Sequence, residues 1–262
     1  MPVLQQSELA VTSAAGESLL VGSFPVFTGD DSELLDALDE LVSANQRSLV
    51  VTVNVDQLVD LGRSEGLFAA YEAASLRTLD GMPLVWMAKW AGAPTVHRQT
   101  GADLLTKCVS ASRERGWKIV ILGGGDKAND LAVRNLVRQH QEADLLGMKL
   151  PYSNGLDGLE EELSLLSDFS PDIVFVCLGS PKQEKLFMEY QALLPPAVYI
   201  GAGAAVDFAS GLKVRAPVTL QKMGLEWVWR LLQEPRRLAY RYLVKGSAIG
   251  RIGYNTIRKR NR

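Results

Sequence analysis

The residues of this chain most able to do chemistry stand where predicted buried strands end, which is where ligands bind in open α/β sheets. Thr52 and Asn54 close the apolar, β-branched stretch SLVVTVN (48–54). Because side chains alternate along a strand, both residues fall on one face. A hydroxyl and an amide there can hydrogen-bond a sugar or the edge of a base. The alternative is a strand end with a turn-forming asparagine.

Three further polar residues lie at predicted turns or helix starts. Asp80, in LDGMP (79–83), is either a turn residue or a general base, which would need partial burial near a hydroxyl acceptor. Arg98 and Asp103 lie together in HRQTGAD (97–103). The arginine suits recognition of phosphate or carboxylate, and the alternative is a simple Arg–Asp pair at a helix start.

A run of three glycines follows the second predicted strand. KIVIL (118–122) leads into Gly123, Gly124 and Gly125, whose backbone N–H groups can approach a diphosphate at the start of the next helix. The run lacks the third glycine of the dinucleotide fingerprint and the Gly-Lys-Ser/Thr of a P-loop. A tight strand-to-helix turn explains these glycines equally well.

The clearest strand, DIVFVCLG (172–179), is followed by a polar helix start. Pro181 is predicted to occupy the first helical position, so Lys182, Gln183 and Glu184 fall in the first turn. The lysine and glutamine side chains would point into the same crevice as the other strand ends. The alternative is a capped helix start with solvent-facing charges.

The elements that must hold these residues alternate between strand and helix. Short β-branched runs predict buried strands, and leucines at helical spacing predict amphipathic helices. Residues 1–30 are predicted to form an irregular lead-in with one strand near 18–26. The alternation predicts an α/β fold with a mostly parallel sheet and helices on both faces. The predicted strands are 48–54, 118–122, 145–148, 172–179 and 197–201, and the predicted helices are 31–46, 56–76, 82–91, 101–116, 126–141, 157–168 and 181–194.

Size and composition predict a folded protein without a metal or disulfide framework. The 262 residues are 47% hydrophobic and 22% charged, which suits one large α/β domain. Cys108 and Cys177 each lie in an apolar run and are expected to be reduced core residues. His97 and His140 have no partner at metal-ligand spacing, so no metal site is expected. No other cofactor is predicted either. The N-terminus lacks a signal-peptide pattern and no apolar run reaches the roughly 18–20 residues of a bilayer span, which predicts a cytoplasmic location.

The net charge of −2 conceals a strong asymmetry along the chain. Residues 227–262 hold ten basic residues and one acidic residue, for a net +9, which leaves −11 on the rest. From Pro217 onward the pattern is helical, aromatic and basic, so we predict a main domain over 1–212 and a C-terminal appendage over 213–262. A basic end of this kind is typical of contact with anionic lipid, phosphate or nucleic acid.

Taken together, these segments resemble the WecG/TagA/CpsF family of bacterial glycosyltransferases. The resemblance runs in the same order from about Leu20 to Tyr242. Its most specific motifs are G-x-P-K-Q-E, G-x-x-x-R-A-P and L-E-W-x-x-R. The matching stretches are TVNVDQL (52–58), LDGMP (79–83), RQTGADL (98–104), LGGG (122–125), DIVFVCLGSPKQE (172–184), GAGAAVDFASGLKVRAP (201–217) and GLEWVWRLLQEPRR (224–237).

The resemblance implies a Rossmann-like domain with a helical, basic C-terminal appendage, and an inverting transfer that needs no metal. Members of the family move a sugar, often N-acetylmannosamine or its uronic acid, from a UDP donor to a sugar carried on a polyprenyl diphosphate. Carried onto this chain, the resemblance makes Asp80 the expected catalytic base. It implies that Thr52, Arg98 and Gln183 line the same pocket, and Asn54 is expected to share the role of Thr52.

The remaining expected substrate contacts divide between the appendage and the main sheet. Arg230, Arg237 and Arg241 are expected to cover the UDP diphosphate, because no metal would balance its charge. The later part of the tail mixes Tyr, Leu and Ile with Lys and Arg, which favours peripheral contact with the anionic inner face of the cell membrane. A solvated tail, or a helix packed on a sister subunit in a homo-oligomer, is the alternative. The other candidate contacts are Asp103, Gly123, Gly124, Gly125, Lys182, Glu184, Gly201, Gly203, Asp207 and Arg215.

Two other functions compete with this one. A nicotinamide-dependent oxidoreductase would carry the dinucleotide fingerprint and an acidic residue about 20 positions later, and the fingerprint is missing. A nucleic-acid-binding protein would need basic or aromatic residues across the sheet surface. The main domain is acidic instead, so no nucleic-acid partner is expected. The sequence leaves the donor sugar, the acceptor sugar and the linkage open.

Overall fold

The computed structural model of the chain describes residues 3–13, 18–93, 95–151 and 158–260, without the side chains of Lys222 and residues 237–247. Strands and helices alternate through most of this length. The strands are β1 (Val11–Ser13), β2 (Leu19–Val21), β3 (Phe24–Pro25), β4 (Arg47–Val53), β5 (Leu76–Leu79), β6 (Lys118–Leu122), β7 (Asp144–Met148), β8 (Ile173–Val176) and β9 (Ala197–Gly201). The helices are α1 (Asp31–Ser43), α2 (Val55–Asp60), α3 (Glu65–Ala73), α4 (Met82–Trp90), α5 (Gly101–Arg115), α6 (Asp126–Gln139), α7 (Glu160–Phe169), α8 (Lys182–Tyr190), α9 (Ala205–Ala209), α10 (Val218–Lys222), α11 (Glu226–Gln233) and α12 (Pro235–Arg260).

Six strands form the central sheet in the order β5-β4-β9-β8-β6-β7, and every pairing in it is parallel. The carboxyl ends of all six strands therefore meet at one edge. Strands β1, β2 and β3 form a separate antiparallel sheet near the N-terminus. The predicted strands of the central sheet are confirmed, two of them, 118–122 and 197–201, with the predicted bounds.

The core lies in two layers, one on each face of the central sheet. Alternate residues of β4 belong to different layers: Leu49, Val51 and Val53 lie in one buried cluster, and Val50 lies in the other. Burial of apolar side chains on both faces is what a helix-covered parallel sheet requires. The α/β prediction is confirmed, and the architecture is Rossmann-like.

The prediction is wrong between residues 56 and 79. The pattern predicts one helix over 56–76, whereas the chain forms α2, α3 and then the edge strand β5. This strand has only four residues, LRTL, and two of them are polar. Arg77 donates to the carbonyl of Tyr71, and Thr78 donates to the carbonyl of Gln99 at 3.0 Å. A short edge strand buries fewer apolar side chains, so the run that marks the other strands is missing here.

The C-terminal helices pack onto the rest of the protein. Helix α12 contacts β1, α2, α4 and α11, and its Ile252 is fully buried in the larger core cluster. None of the helices in the described ranges combines the length and the apolar character that crossing a bilayer requires. The division into domains at residues 212 and 213 stays a prediction.

Candidate active site

A cavity of about 480 Å³ opens beyond the carboxyl ends of β4 and β5, between the central sheet and the C-terminal helices. This edge is where open parallel sheets bind their ligands. Of the residues predicted from the sequence, Asn54, Asp80, Arg98 and Arg230 line the cavity. The rest of the wall comes from the starts of α2 and α4, from four residues between 221 and 227, and from two residues of α12.

Asp80 owes its place to the turn that follows β5. Its backbone N–H donates to the carbonyl of Val53 at 2.7 Å, which holds it beside the end of β4. Gly81 then adopts a φ of 100°, a value that favours glycine, and caps the start of α4. Within the described part of the chain, no hydrogen bond engages the Asp80 carboxylate. The carboxylate is therefore available to a ligand in the cavity.

Burial raises the pKa of Asp80 from its ordinary value of 3.8 to about 7. The negative charge of Glu226 adds to this effect, whereas the positive charges of Arg98 and Arg230 oppose it. A carboxylate with a pKa near neutrality is a better proton acceptor than an ordinary aspartate and is still partly ionised at pH 7. The environment of Asp80 therefore suits a general base.

Arg98 ties the main sheet to the C-terminal helices. Its Nη1 donates to Glu226 Oε2 at 2.8 Å, and its Nη2 donates to Gln221 Oε1 at 2.9 Å. The same Nη2 lies 3.6 Å from Asp103 Oδ2. These contacts fix the guanidinium in the cavity wall, close enough to Asp80 to lower its pKa.

Asp103 and Arg215 complete this ionic cluster behind the wall. Arg215 Nη1 donates to Asp103 Oδ1 at 2.5 Å, and Arg215 Nε lies 3.8 Å from Glu226 Oε1. Burial alone would raise the pKa of Asp103, but hydrogen bonds from Arg215 and Thr100 hold it below its ordinary value. Two arginines and two carboxylates thus alternate without net charge. Asp103 and Arg215 support Arg98 and Glu226 and do not line the cavity themselves.

Arg230 reaches the cavity from α11. Its guanidinium carbon lies 5.9 Å from the ring centre of Phe208, so the side chain is braced against α9. An arginine of the C-terminal segment is therefore present beside Asp80. Arg237 and Arg241 belong to α12, but their side chains lie outside the described residues, and their expected roles stay predictions.

Thr52 and Gln183 lie beneath the cavity and not in its wall. Thr52 Oγ1 donates to the carbonyl of Gly201 at 2.9 Å, and Gln183 Oε1 accepts from the N–H of Gly203 at 3.1 Å. A Cβ at Gly201 would come within 2.4 Å of Gln183 Nε2, so this position has no room for a side chain. Both residues thus hold the loop after β9, and their expected contact with substrate stays a prediction.

Gln57 connects this buried group to the cavity. It forms a reciprocal cap with Asn54, whose Oδ1 accepts from the Gln57 N–H at 3.0 Å. Gln57 Nε2 donates to Glu184 Oε1 at 3.1 Å, and Gln183 Nε2 donates to the same oxygen at 3.0 Å. Glu184 is 1% exposed, and burial raises its pKa. Asn54 and Gln183 therefore belong to one hydrogen-bonded network, and of these two residues only Asn54 lines the cavity.

The glycine run after β6 lies away from Asp80. Gly123 and Gly124 have φ values of 84° and 82°, which makes the left-handed turn into α6. Gly125 borders a second cavity of about 380 Å³ together with Lys149 and Glu162. The structure gives the first two glycines the role of a tight turn. The run does not line the cavity around Asp80, and its expected contact with a diphosphate stays a prediction.

Lys182 and Asp207 also lie outside that cavity. Lys182 is exposed in the first turn of α8. Asp207 Oδ2 lies 2.6 Å from Lys213 Nζ, which also lies 2.8 Å from Glu234 Oε1. Lys213 thus joins α9 to the end of α11. The expected substrate contacts of Lys182 and Asp207 stay predictions.

Glu226, Gln221 and Trp227 are cavity residues that the sequence did not identify. A signal for Glu226 was present, because the L-E-W-x-x-R motif places it four residues before Arg230. Residues four apart share one face of a helix, so the glutamate and the arginine reach the same site. No comparable signal marks Gln221, which is recognised only through its bond to Arg98.

The described residues contain no group of three or more His, Cys, Asp or Glu side chains placed to hold a metal ion. Among the described residues that line the cavity, Arg98 and Arg230 carry the positive charges. The expectation of a reaction without metal or cofactor stays a prediction.

The cavity residues lie in a part of the chain that is similar to known proteins. The sequence profile described as Glycosyl transferase WecG/TagA/CpsF family matches residues 20–262, which is most of the chain. The chain belongs to this family. It is therefore an enzyme, a glycosyltransferase, and the assignment made from the motifs is confirmed. Every cavity residue of this WecG/TagA/CpsF member falls within the match, whereas the N-terminal segment before residue 20 lies outside it.

Two similar proteins carry the name N-acetylglucosaminyldiphosphoundecaprenol N-acetyl-beta-D-mannosaminyltransferase. The one from Bacillus spizizenii is 28% identical over 212 residues, which cover 79% of this chain and 81% of that protein. The one from Staphylococcus aureus strain MW2 is 24% identical over 216 residues, which cover 80% and 83%. This WecG/TagA/CpsF member thus spans most of the length of both relatives.

Proposed function

We propose that this glycosyltransferase moves a sugar from a UDP donor to a saccharide carried on a polyprenyl diphosphate, with inversion and without a metal ion, in the synthesis of a cell-surface polysaccharide. The observation that carries the proposal is the Asp80 carboxylate, which lines a large cavity beside two arginines and has a pKa of about 7. The two similar enzymes are named for transfer of an N-acetyl-β-D-mannosaminyl group to N-acetylglucosaminyldiphosphoundecaprenol. An N-acetylmannosamine-type donor is therefore the first to test.

Asp80 acts as the base in a single displacement. The acceptor hydroxyl transfers its proton to an Asp80 carboxylate oxygen while its oxygen bonds to the anomeric carbon of the donor. The bond from that carbon to the β-phosphate oxygen breaks on the opposite face, and UDP leaves with the electron pair. Attack from the face opposite the leaving group inverts the anomeric centre. One positioned carboxylate is sufficient for this step.

The departing diphosphate gains negative charge, which Arg98 and Arg230 are placed to balance. Both guanidinium groups line the same cavity as Asp80. Fixed positive charges stabilise a leaving group in the transition state without having to reorganise. Arg98 is held by Glu226 and Gln221, and Arg230 is braced by Phe208. This arrangement supports a metal-independent reaction.

The outer surface beside the cavity supports contact with a membrane. Trp86 and Trp90 of α4 are 38% and 47% exposed, and Tyr254 of α12 is 64% exposed. Arg260 Nη1 donates to the carbonyl of Trp90 at 3.0 Å, which brings the basic end of α12 next to this aromatic surface. Aromatic side chains beside cationic ones are typical of interfacial segments on anionic lipid. A polyprenyl-linked acceptor would reach the cavity from that side, so peripheral association with the inner face of the cell membrane belongs to the proposal.

The function is tested with UDP-N-acetylmannosamine as donor and a short-chain polyprenyl-diphosphate-linked N-acetylglucosamine as acceptor. Asp80→Asn should lower kcat by about 10²- to 10⁴-fold, because the amide cannot accept the proton. Product formation is measured by chromatography in the presence and absence of EDTA. Asp144→Asn is the matched control, because Asp144 is exposed at the start of β7, the strand at the opposite edge of the sheet from β5.

A loss of rate in Asp80→Asn is distinguished from unfolding by thermal denaturation. The raised pKa of Asp80 means that its contribution to stability is present below pH 3.8 and is lost as the pH rises through about 7. Removing the charge should therefore stabilise the protein at pH 8, by up to about 4 kcal/mol, and change little at acidic pH. Near-normal turnover of Asp80→Asn would refute its role as the base, and loss of activity with EDTA would refute metal independence.

A further inference from the structure

The N-terminal segment Val3–Ser13 lies before the family match and yet forms part of the core beside the candidate site. Leu9 is 6% exposed and Val11 is fully buried. The backbone N–H of Leu4 donates to the carbonyl of Leu61 at 3.1 Å, directly after α2, the helix whose cap Asn54 lines the cavity. This segment is thus built into the protein at the cavity side of the sheet.

The same segment is bonded to α12 by three polar side chains. Val11 lies in β1, an edge strand, and its N–H donates to Thr256 Oγ1 at 3.0 Å in a fully buried position. Asn255 Nδ2 donates to the carbonyls of Gln6 and Leu9 at 2.9 and 3.2 Å. Arg251 Nη1 donates to Gln6 Oε1 at 2.7 Å. Thr256 therefore satisfies a buried edge N–H, a group that is costly to leave without an acceptor.

These bonds attach to the part of α12 that forms the cavity wall. Ile249 and Gly250 line the cavity, and Ile252, Gly253 and Thr256 follow within two turns. Residues three, four and seven apart lie along one stripe of a helix. Ile252 and Thr256 are fully buried, and a Cβ at Gly253 would lie 3.5 Å from Trp90 of α4. The wall thus has α4 on one side and the N-terminal segment on the other.

We propose that Thr256 and Asn255 are positioning residues, which use the N-terminal segment to hold α12 as a wall of the active site. They contact neither the cavity nor Asp80, and act by fixing Ile249 and Gly250. When the Val11 N–H has no hydrogen bond to Thr256, this part of α12 can move away from the cavity. The N-terminal segment is then a component of the catalytic unit in this chain, although it precedes the residues that the family profile matches. The effect on turnover rests on the proposed function, whereas the placement of α12 does not.

The test compares Thr256→Val with Thr256→Ser, in the full chain and each alone or combined with Asn255→Ala. Valine keeps the shape but leaves the Val11 N–H without an acceptor, and serine restores the hydroxyl. Ser112→Ala is the matched control, because Ser112 is a buried hydroxyl that donates to a backbone carbonyl at 2.8 Å within α5. Amide hydrogen exchange of residues 249–256, thermal denaturation and the kinetic constants for sugar transfer are measured on each variant.

Thr256→Val should speed exchange in residues 249–256 while leaving the amides of α5 unchanged. It should lower kcat/KM for sugar transfer by at least about tenfold, because small misplacements of a binding wall cost rate steeply. In Thr256→Ser, kcat/KM for sugar transfer should stay within about twofold of the value for the unaltered protein. Unchanged exchange in Thr256→Val combined with Asn255→Ala would overturn the proposal. So would faster exchange with unaltered turnover, or an equal loss of turnover in Ser112→Ala at the same melting temperature. If the unaltered protein transfers no sugar from any UDP donor, the proposed function fails, and the exchange comparison alone decides the placement.

Discussion

Asp80 is an acidic residue in a place that opposes its ionisation. Burial raises its pKa to about 7, the carboxylate of Glu226 raises it further, and Arg98 and Arg230 prevent it from rising more. The residue is therefore neither a permanently charged surface aspartate nor a permanently protonated buried one. Its protonation state can change during a reaction at neutral pH, which is the property that a base needs.

The pH dependence of sugar transfer should report this balance. Since Asp80 must be ionised to accept a proton, kcat/KM should rise with pH through a midpoint near 7. Below the midpoint it should fall about tenfold per pH unit. Glu226→Gln removes a negative charge that raises the pKa of Asp80, so its midpoint should lie at lower pH.

Glu142→Gln serves as the control for that shift, because Glu142 is 56% exposed and paired with Arg113 at the surface. Its profile should coincide with that of the unaltered protein. A midpoint that moves to higher pH in Glu226→Gln would contradict the assigned influence of this carboxylate on Asp80.

Helix α11 is the element that closes the site. Glu226 and Arg230 reach the cavity from one of its faces. Its other contacts bind it to the loop before α10, since Trp229 Nε1 and Gln233 Nε2 both donate to the carbonyl of Val214, at 2.9 and 2.8 Å. The helix is thus held in place by its own side chains and by the ionic cluster behind the cavity.

The ionic cluster should contribute measurably to stability. Arg215 lies between Asp103 and Glu226, and its side chain is 24% exposed. Arg215→Met leaves two partly buried carboxylates short of a partner, which should lower the free energy of unfolding by about 2 kcal/mol. Urea denaturation followed by circular dichroism measures this difference.

Arg113→Met is the matched comparison, because Arg113 makes an ion pair with Glu142 in which the side chains are 74% and 56% exposed. An exposed pair contributes about 0–1 kcal/mol, so this variant should be close to the unaltered protein. Equal denaturation midpoints for Arg113→Met and Arg215→Met would show that the cluster adds nothing.

At the scale of the whole molecule, an acidic main body is joined to a basic C-terminal segment that helps to form the cavity. Residues 227–262 carry a net charge of +9, and the rest carries −11. The basic segment supplies Arg230, Ile249 and Gly250 to the cavity and also carries the exposed basic end of α12. The part that would contact a membrane and the part that closes the active site are therefore continuous in one chain segment.

Truncation after Gly211 should separate folding from activity. Among the side chains that the structure describes, both core clusters are built almost entirely from residues before this point, and Ile252 is the one fully buried member after it. We expect the truncated chain to retain a cooperative thermal transition and the circular dichroism of an α/β protein. It should transfer no sugar, because Glu226, Arg230 and the α12 wall are lost. An active truncated enzyme would refute the role of the C-terminal arginine.

Vesicle binding should depend on both the aromatic and the basic parts of the outer surface. Phosphatidylglycerol vesicles should bind the protein more tightly than phosphatidylcholine vesicles, and the difference should shrink as NaCl shortens the Debye length to about 3 Å at 1 M. Trp90→Ser should weaken binding in sedimentation assays. Leu165→Ser on α7, where the leucine is 55% exposed, is the control and should bind normally. Equal binding by both variants would exclude α4 from the membrane contact.

The sequence by itself determined the fold class and the family, and through the family resemblance it predicted Asp80 as the base. Buried parallel strands leave uninterrupted β-branched runs, and the order of the family motifs is readable without coordinates. The sequence pattern did not reveal strand β5, because a four-residue edge strand with two polar residues leaves no such run. The contacts of Thr52 and Gln183 with the loop after β9 were not readable from the sequence, because which strand-end residue faces the cavity and which faces that loop depends on how neighbouring strands are paired.

Only the tertiary structure decided what surrounds Asp80 and what holds the wall opposite it. Arg98 and Glu226 are 128 positions apart in sequence, and Val11 and Thr256 are 245 apart. Local patterns report on the burial of each segment separately, since periodicity describes a single strand or helix. The pKa of a carboxylate and the position of a cavity wall depend on burial and charges brought together by folding, and Coulomb interactions act through space regardless of chain order.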